Sequence, residues 1–324
     1  MTVRTQPSRY VPQKLSKLLA VLLIGFSCVA CTTSATSSSK NVSAASVVET
    51  IKKQEPVLLE NVTIDGDLDF TTLTTYPETA NTRKAVIDSP IFFKNCVFTG
   101  KVLGFSQRNG QTTLCDFRKN LTFLNCKFNE AINFQSVTVA GIGCFSNSQF
   151  NRAVSFEGAY FDAEAYFDNT FFTQETHFQT VHFGRGVNFW KSVWAGVSYF
   201  QGAAFAGDAQ FNLAEFRANL DFSLCTSHGL LNFNYAQFVG RSIFDNCRFK
   251  NAVDFGGANL KEASLKEAFF EAKASFADVT CGRISFENAL FLSQKPVLTF
   301  AAPQPTEINL TGARQVAAGA VQID

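Results

Sequence analysis

Three histidines, nine cysteines and 27 Asp and Glu residues are the groups in this 324-residue chain that could do chemistry. His177 and His182 each stand immediately before a phenylalanine, Phe178 and Phe183. A metal site there would need further ligands converging on the same point, and none is expected at a ligand spacing. His228 falls at a turn position and carries no signal. Asp162, Glu164, Asp168 and Glu175 crowd the same region, but glycoside cleavage needs carboxylates paired across a groove, and nothing in the pattern makes one. There is no Gly-x-Ser-x-Gly elbow and no Gly-x-x-x-x-Gly-Lys phosphate loop. The expectation is a chain with no catalytic residue, no metal and no cofactor.

What must position any functional group is a repeat. The composition is skewed to one bulky filler, 36 Phe against one Met and eight Pro. Phe123, Phe128, Phe134, Phe145, Phe150, Phe156, Phe161 and Phe167 begin a ladder that runs on through Phe172, Phe178, Phe183, Phe189, Trp194, Phe200, Phe205, Phe211, Phe216 and Phe222, with Val139 in the missing slot. Its steps alternate between five and six residues, a period of eleven. The decads 125–134 and 246–255 lie 121 residues apart, eleven periods, and share polar and apolar classes throughout. A helix is excluded, because such steps do not hold one face of a 3.6-residue turn. The Leu-x-x-Leu-x-Leu-x-x-Asn pattern of leucine-rich repeats is missing as well.

Two residues before each ladder slot stands a small or β-branched residue (Ala159, Thr170, Ala203, Ala214), with a polar residue usually between. An inward-outward-inward triplet is what a very short strand presents. Two residues after the slot, Asn or Gly recurs: Asn125, Asn147, Gly158, Asn169, Gly202, Asn246 and Gly257 before five-residue steps, and Gly196, Gly207, Gly229 and Gly240 before six-residue steps. These residues tolerate positive φ, so a corner is expected at every step. Strand and corner in alternation make a β-solenoid. Cys96, Cys115, Cys126, Cys225 and Cys247 occupy the small inward position, where a thiol serves as compact filler. Cys225 and Cys247, 22 apart, should stack, which makes a disulfide geometrically accessible in an oxidising compartment; buried unpaired thiols are the favoured reading.

Ala258-Asn259-Leu260-Lys261-Glu262, Ala263-Ser264-Leu265-Lys266-Glu267 and Ala268-Phe269-Phe270-Glu271-Ala272 resemble three consecutive copies of the pentapeptide repeat: Ala, Asp or Asn, Leu or Phe, then two variable residues. The resemblance extends from about Val57 to Phe291 and departs from the family in its preference for Phe and its six-residue steps. It implies an all-β fold, a right-handed quadrilateral β-helix with both apolar positions inward. Alternating steps over four sides give about 22 residues per coil, about ten coils spanning roughly 50 Å, and Phe-over-Phe columns at the strand spacing.

The ends read differently. Arg4, Arg9, Lys14 and Lys17 precede the apolar run 18–26 and the small residues up to Ala30, the three regions of a secretory signal over 1–30. Cys28-Val29-Ala30-Cys31 resembles a bacterial lipobox with Cys31 as the lipidated residue, departing from it at Cys28, where an aliphatic residue is usual. The Ser- and Thr-rich 31–45 reads as a flexible tether, and 46–56 as a short capping helix opened by a Ser46-Val47-Val48-Glu49 box. Ile64, Phe70, Phe93 and Phe98 continue the ladder, interrupted by expected loops near 71–88 and 106–113; 292–324 should be a C-terminal cap or tail, with Glu307-Ile308-Asn309-Leu310 as a last partial coil.

All four charges before Cys31 are basic, so 28 Lys and Arg less those four leave 24 against 27 acidic residues, a net charge near −3 for the mature chain. No run of Lys or Arg appears after Cys31, so the basic stripe a nucleic-acid binder needs is not expected. Tyr160, Tyr166, Phe171, Trp190 and Tyr199 fall in slots that should point away from the core, a candidate partner-contact band. The expected protein is therefore exported, tethered by a lipid to the outer side of a bacterial membrane, non-catalytic, and a rigid scaffold for contact with another protein; a dimer is compatible with this. Two rivals remain: the DNA-mimicking, topoisomerase-binding branch of the family, opposed by the export signal and the near-neutral charge, and a surface enzyme with its site on the loops.

Overall fold

The computed structural model describes residues 40–292 and 295–316. The signal segment, Cys31 and the tether as far as residue 39 lie outside the described residues. The described chain is an all-β right-handed solenoid of about 12 coils with a single short helix. Each coil has four faces, and its strands pair in parallel with the coils above and below. The first face runs through Leu121–Leu124, Gly143–Cys144 and Ala165–Tyr166; the second through Lys127–Phe128, Gln149–Phe150 and Phe171–Phe172. The third contains Ile132–Asn133, Val154–Ser155 and Thr176–His177; the fourth, Thr138–Val139, Tyr160–Phe161 and His182–Phe183. The fourth face is a 13-stranded sheet, while the other three merge into one of 29 strands, because Gln237–Ile243 and Ala274–Ser285 run straight across corners.

The register puts each ladder residue over the next, Phe128 on Phe150 on Phe172 on Trp194. Ring centroids in that column lie 4.9, 4.8 and 4.3 Å apart. Across the core, first-face and third-face rings meet edge to face: Phe145–Phe156, Phe156–Phe167 and Phe167–Phe178 have interplanar angles of 76°, 82° and 86°. Stacking is imposed by the strand repeat, and the perpendicular contacts set ring edges against ring faces, the arrangement the aromatic quadrupole favours. The rings are fully buried. Burying each contributes on the order of 2–3 kcal/mol, so the columns dominate the hydrophobic term.

The corners correct the sequence reading. Before five-residue steps the residue two past the ladder is left-handed, as at Asn125, Asn147, Gly158, Asn169, Gly202, Asn246 and Gly257. At Gly196, Gly207, Gly229 and Gly240, before six-residue steps, φ is not positive; there a Cβ would strike the backbone of the preceding coil, at Gly207 only 2.6 Å from the Arg185 carbonyl carbon. Those glycines permit close approach between coils, not a left-handed turn. Beyond Phe238 the coil shortens. Phe238 pairs with Leu260 but Arg241 with Glu262, so one residue around Gly240 is bulged out, and 22-residue spacing gives way to 21 where Leu260 pairs with Cys281.

The N-terminal end does not follow its expected boundary, while the expected last coil at Glu307–Asn309 is present. Lys40–Ser43 is not tether but a strand, paired parallel with Val62–Asp65. The helix is Ala44–Lys52, not 46–56, and its N-cap is Ser43, whose hydroxyl accepts from the Ser46 N–H at 3.2 Å. Ser46 is therefore the third residue of the capping turn and not its cap. Ala44, Val47, Val48 and Ile51 are buried against the first coils. The two expected loops are β-hairpins. Thr75–Pro77 pairs with Thr82–Ile87, Phe105–Arg108 pairs with Gln111–Phe117, and the two long strands lie parallel side by side, so the insertions widen the fourth face into a four-stranded wing. At the far end Val297–Phe300, Glu307–Asn309 and Arg314–Gln315 pair onto the last full coil as one more.

The two glycine roles separate by experiment. Gly202 has φ +68° and room for a Cβ 3.4 Å from the Thr180 methyl, so Gly202→Asn should alter stability by less than about 1 kcal/mol. Gly207→Asn should cost more than about 2 kcal/mol, because backbone must move. Urea unfolding of both variants measures the difference.

Candidate functional site

The inward positions are filled, so chemistry is confined to the outer surface. There the five aromatics do not form a band. Tyr160 lies on the fourth face, Tyr166 on the first, Phe171 on the second and Tyr199 on the third, while Trp190 follows Phe189 at the edge of the first. No single flat partner can cover all five. The alternation rule put each outside the core, but a corner separates Tyr160 from Tyr166 and another separates Tyr166 from Phe171, so neighbours in sequence point in different directions.

Each is also engaged locally. Tyr160 stacks on His182 with centroids 4.5 Å apart, and Tyr199 on His177 at 5.1 Å. Arg217 lies over Phe171, and the Lys191 ammonium sits 4.3 Å from the Trp190 ring. The two histidines are on different faces, and among the described residues no three His, Cys, Asp or Glu side chains gather as a metal site would require. Of the acidic residues, Asp168 is buried and accepts from the Ser146 hydroxyl at 2.6 Å and from the Asn169 amide at 3.1 Å, a corner-bracing role.

Cys96, Cys115, Cys126, Cys144, Cys225, Cys247 and Cys281 are all buried free thiols. Cys225 and Cys247 share a slot on consecutive coils, yet each donates to a carbonyl at 3.0 Å, those of Phe200 and Phe222, instead of bonding to the other. Burial pushes the Cys115, Cys126, Cys144 and Cys225 thiols up, and Cys281 to about 11. At Cys96 a hydrogen bond from Cys126 works the other way, down to about 7, but the residue is only 1 % exposed and its sulfur lies 3.3 Å from the Lys94 carbonyl. These are fillers shielded from reagents.

The charged ladder on the second-to-third-face edge is likewise self-satisfied. Arg241, Glu262, Arg283 and Glu307 occupy successive coils in register, and Glu262 lies 3.4 Å from one guanidinium and 3.6 Å from the other. Alternating charge along a stack neutralises neighbours without creating a site.

The surface feature missed in the sequence is apolar. Leu213, Leu224, Tyr235 and Val239 are 45 %, 62 %, 61 % and 51 % exposed. Leu213, Leu224 and Tyr235 have φ of 60°, 61° and 58°, in the corner slot that other coils give to Asn, Gly or another polar residue such as Ser136, Thr180 and Lys191. A bulky side chain at positive φ is unfavourable, and here it is also left in water. Leu213 and Tyr235 are one coil apart at the same corner. The signal was present: they stand two residues after Phe211 and Phe233, where the pattern calls for Asn or Gly.

Four-sided coils, inward pairs of small and large apolar residues and left-handed corners define a pentapeptide-repeat β-helix, and residues 211–259 match the family model described as pentapeptide repeats (9 copies). The fold is that of a pentapeptide-repeat β-helix, and over those residues the sequence is similar to that family. Among solved structures it is similar to HetL, a pentapeptide repeat protein involved in heterocyst differentiation regulation from the cyanobacterium Nostoc sp. strain PCC 7120, at 11 % identity over 82 % of this chain and 92 % of that one, with a TM-score of 0.20. No curated protein matches the sequence.

Alkylation tests the filler reading of the cysteines. In the native protein at neutral pH none of the seven thiols should react within minutes, and all seven should react in urea without reductant. Recovery of only five would mean that one pair is bonded.

Proposed function

We propose that this pentapeptide-repeat β-helix is an exported, lipid-anchored scaffold that does no catalysis and holds a protein partner at the bacterial envelope. The observation that carries the reading is the exposed apolar set at the corners, above all Leu213 and Tyr235, kept where the backbone favours Asn or Gly. Large apolar side chains in solvent mark contact sites, and residues that work against local stability are a signature of function. The fold itself commonly serves non-catalytic proteins. Tyr160, Tyr166, Phe171, Trp190 and Tyr199 would then act as separate contacts on different faces. Membrane attachment rests on the lipobox-like 28–31, with Cys31 carrying the acyl chains.

The Leu213→Asn/Tyr235→Asn double variant separates structure from function. Asn suits the left-handed corner, so stability should hold or rise by about 0.5–1 kcal/mol. A crosslink from a photoreactive residue at 213 or 235 to an envelope protein is expected from the otherwise native chain, and affinity capture of that partner should be lost in the double variant. Radiolabelled palmitate should enter the wild type but not Cys31→Ala. Absence of any crosslinked neighbour overturns the scaffold reading, and palmitate in Cys31→Ala overturns the anchor.

A further inference from the structure

The wing built by the two hairpins and the C-terminal turn of the helix enclose a recess of about 640 Å³, three times the volume of the shallow trough beside Arg241 and Arg283. Its volume is in the range of small-ligand sites. The floor is apolar: Ile51 and Leu73 are buried and Val86 half-buried. One wall is the Tyr76 ring, 59 % exposed on a short strand beside Lys84. Arg83 fixes that strand by donating to the Thr75 carbonyl at 2.9 Å, so the ring is carried on a braced hairpin and not on a loose loop.

The polar rim determines what fits. Lys52, Lys84 and Arg118 line it together with Glu78, Asp88 and Asp116, three of each sign, and the Lys52 ammonium is itself held by Glu49 at 2.7 Å, so the recess carries no excess of positive charge. An anion would meet three carboxylates and a cation three basic groups; both are disfavoured. Lys84 and Glu78 are in direct contact at 2.7 Å, but Arg118 lies 3.7 Å from Asp88 and 3.9 Å from Asp116. Those two separations are ion pairs longer than a hydrogen bond, and a hydroxyl group placed between can donate to the carboxylate and accept from the guanidinium. Gln54 and Thr74 add neutral donors and acceptors. A ligand that complements an apolar floor, an exposed aromatic face and a rim of opposed, incompletely closed ion pairs is uncharged, rich in hydroxyls at its edge and lined with C–H on its face.

We propose that this recess binds a neutral pyranose unit of a glycan, with the sugar's C–H face on Tyr76 and its hydroxyls bridging Arg118 to Asp88 and Asp116. The site is independent of the membrane anchor and of the corner residues Leu213 and Tyr235. A single ring held at an open recess implies weak binding per unit, strengthened where a polymer presents many units.

Saturation-transfer NMR on the full-length protein, with cellotetraose and tetra-N-acetylchitotetraose as probes, tests this. Transfer to the C–H protons of one ring face is expected from at least one of the two. Affinity should drop about tenfold or more in Tyr76→Ala and in Arg118→Gln, be retained in Tyr76→Phe, and change less than about twofold between low and high salt, because the sugar is uncharged. Tyr76 is largely exposed, so an unaltered melting curve of Tyr76→Ala separates loss of binding from loss of fold. No transfer with either probe, equal transfer in Tyr76→Ala, or a salt-sensitive preference for a peptide or a sulfated oligosaccharide overturns the proposal.

Discussion

Everything in this molecule depends on the backbone hydrogen bonds that stack one coil on the next. They hold equivalent residues at the parallel-strand spacing of about 4.8 Å, a little more than the thickness of an aromatic ring. Phe145, Phe167 and Phe189 donate to the carbonyls of Tyr166, Asn188 and Gln210, each at 2.7 Å, and their rings follow at 4.9 Å. The ring therefore fits the repeat distance, and a phenylalanine at one level specifies the space for the next. Where the ring is missing, the packing adjusts: at Ser227 the fourth-face column is broken, and Phe222 turns to stack on Phe205 at 5.4 Å.

That constraint also confines function to the outside. A core filled by two inward residues per side has no interior site, and its thiols are walled off by the same packing that makes them useful as small fillers. The surface is composed of columns in which each residue meets its own counterpart in the neighbouring coil. Opposite charges cancel along such columns, as at Arg241, Glu262 and Arg283. Aromatics pair with histidines, as Tyr160 does with His182. Among the described residues, two departures from this self-satisfaction bear on function. One is the corner slot that carries Leu213 and Tyr235 at positive φ; the other is the wing, where the repeat is interrupted and the surface becomes concave.

The coil type, its step lengths, the inward residues and the left-handed corners before five-residue steps were legible in the chain because each is a local rule repeated many times. The glycines before six-residue steps were misread as left-handed for a physical reason. Glycine is selected both where φ is positive and where another backbone comes close, and a sequence does not show which neighbour lies above Gly207. The exposed Leu213 and Tyr235 were visible in principle as exceptions at a known slot. The aromatic set 160–199 was legible as outward-facing but not as a surface, since proximity along a coil means separation by corners.

The sequence by itself determined the repeat, the filler and the side of the strand each residue occupies, because a period-two strand and a strict spacing leave no freedom in those choices. It also bears the signal-like first 30 residues, which no fold could alter. Only the tertiary structure decided that 71–88 and 106–113 pair into hairpins and lie side by side, since strands from different coils become neighbours through stacking and not through any local code. The helix end, Tyr76 and Arg118 converge for the same reason: residues more than twenty positions apart are brought together by the rise of one coil over another.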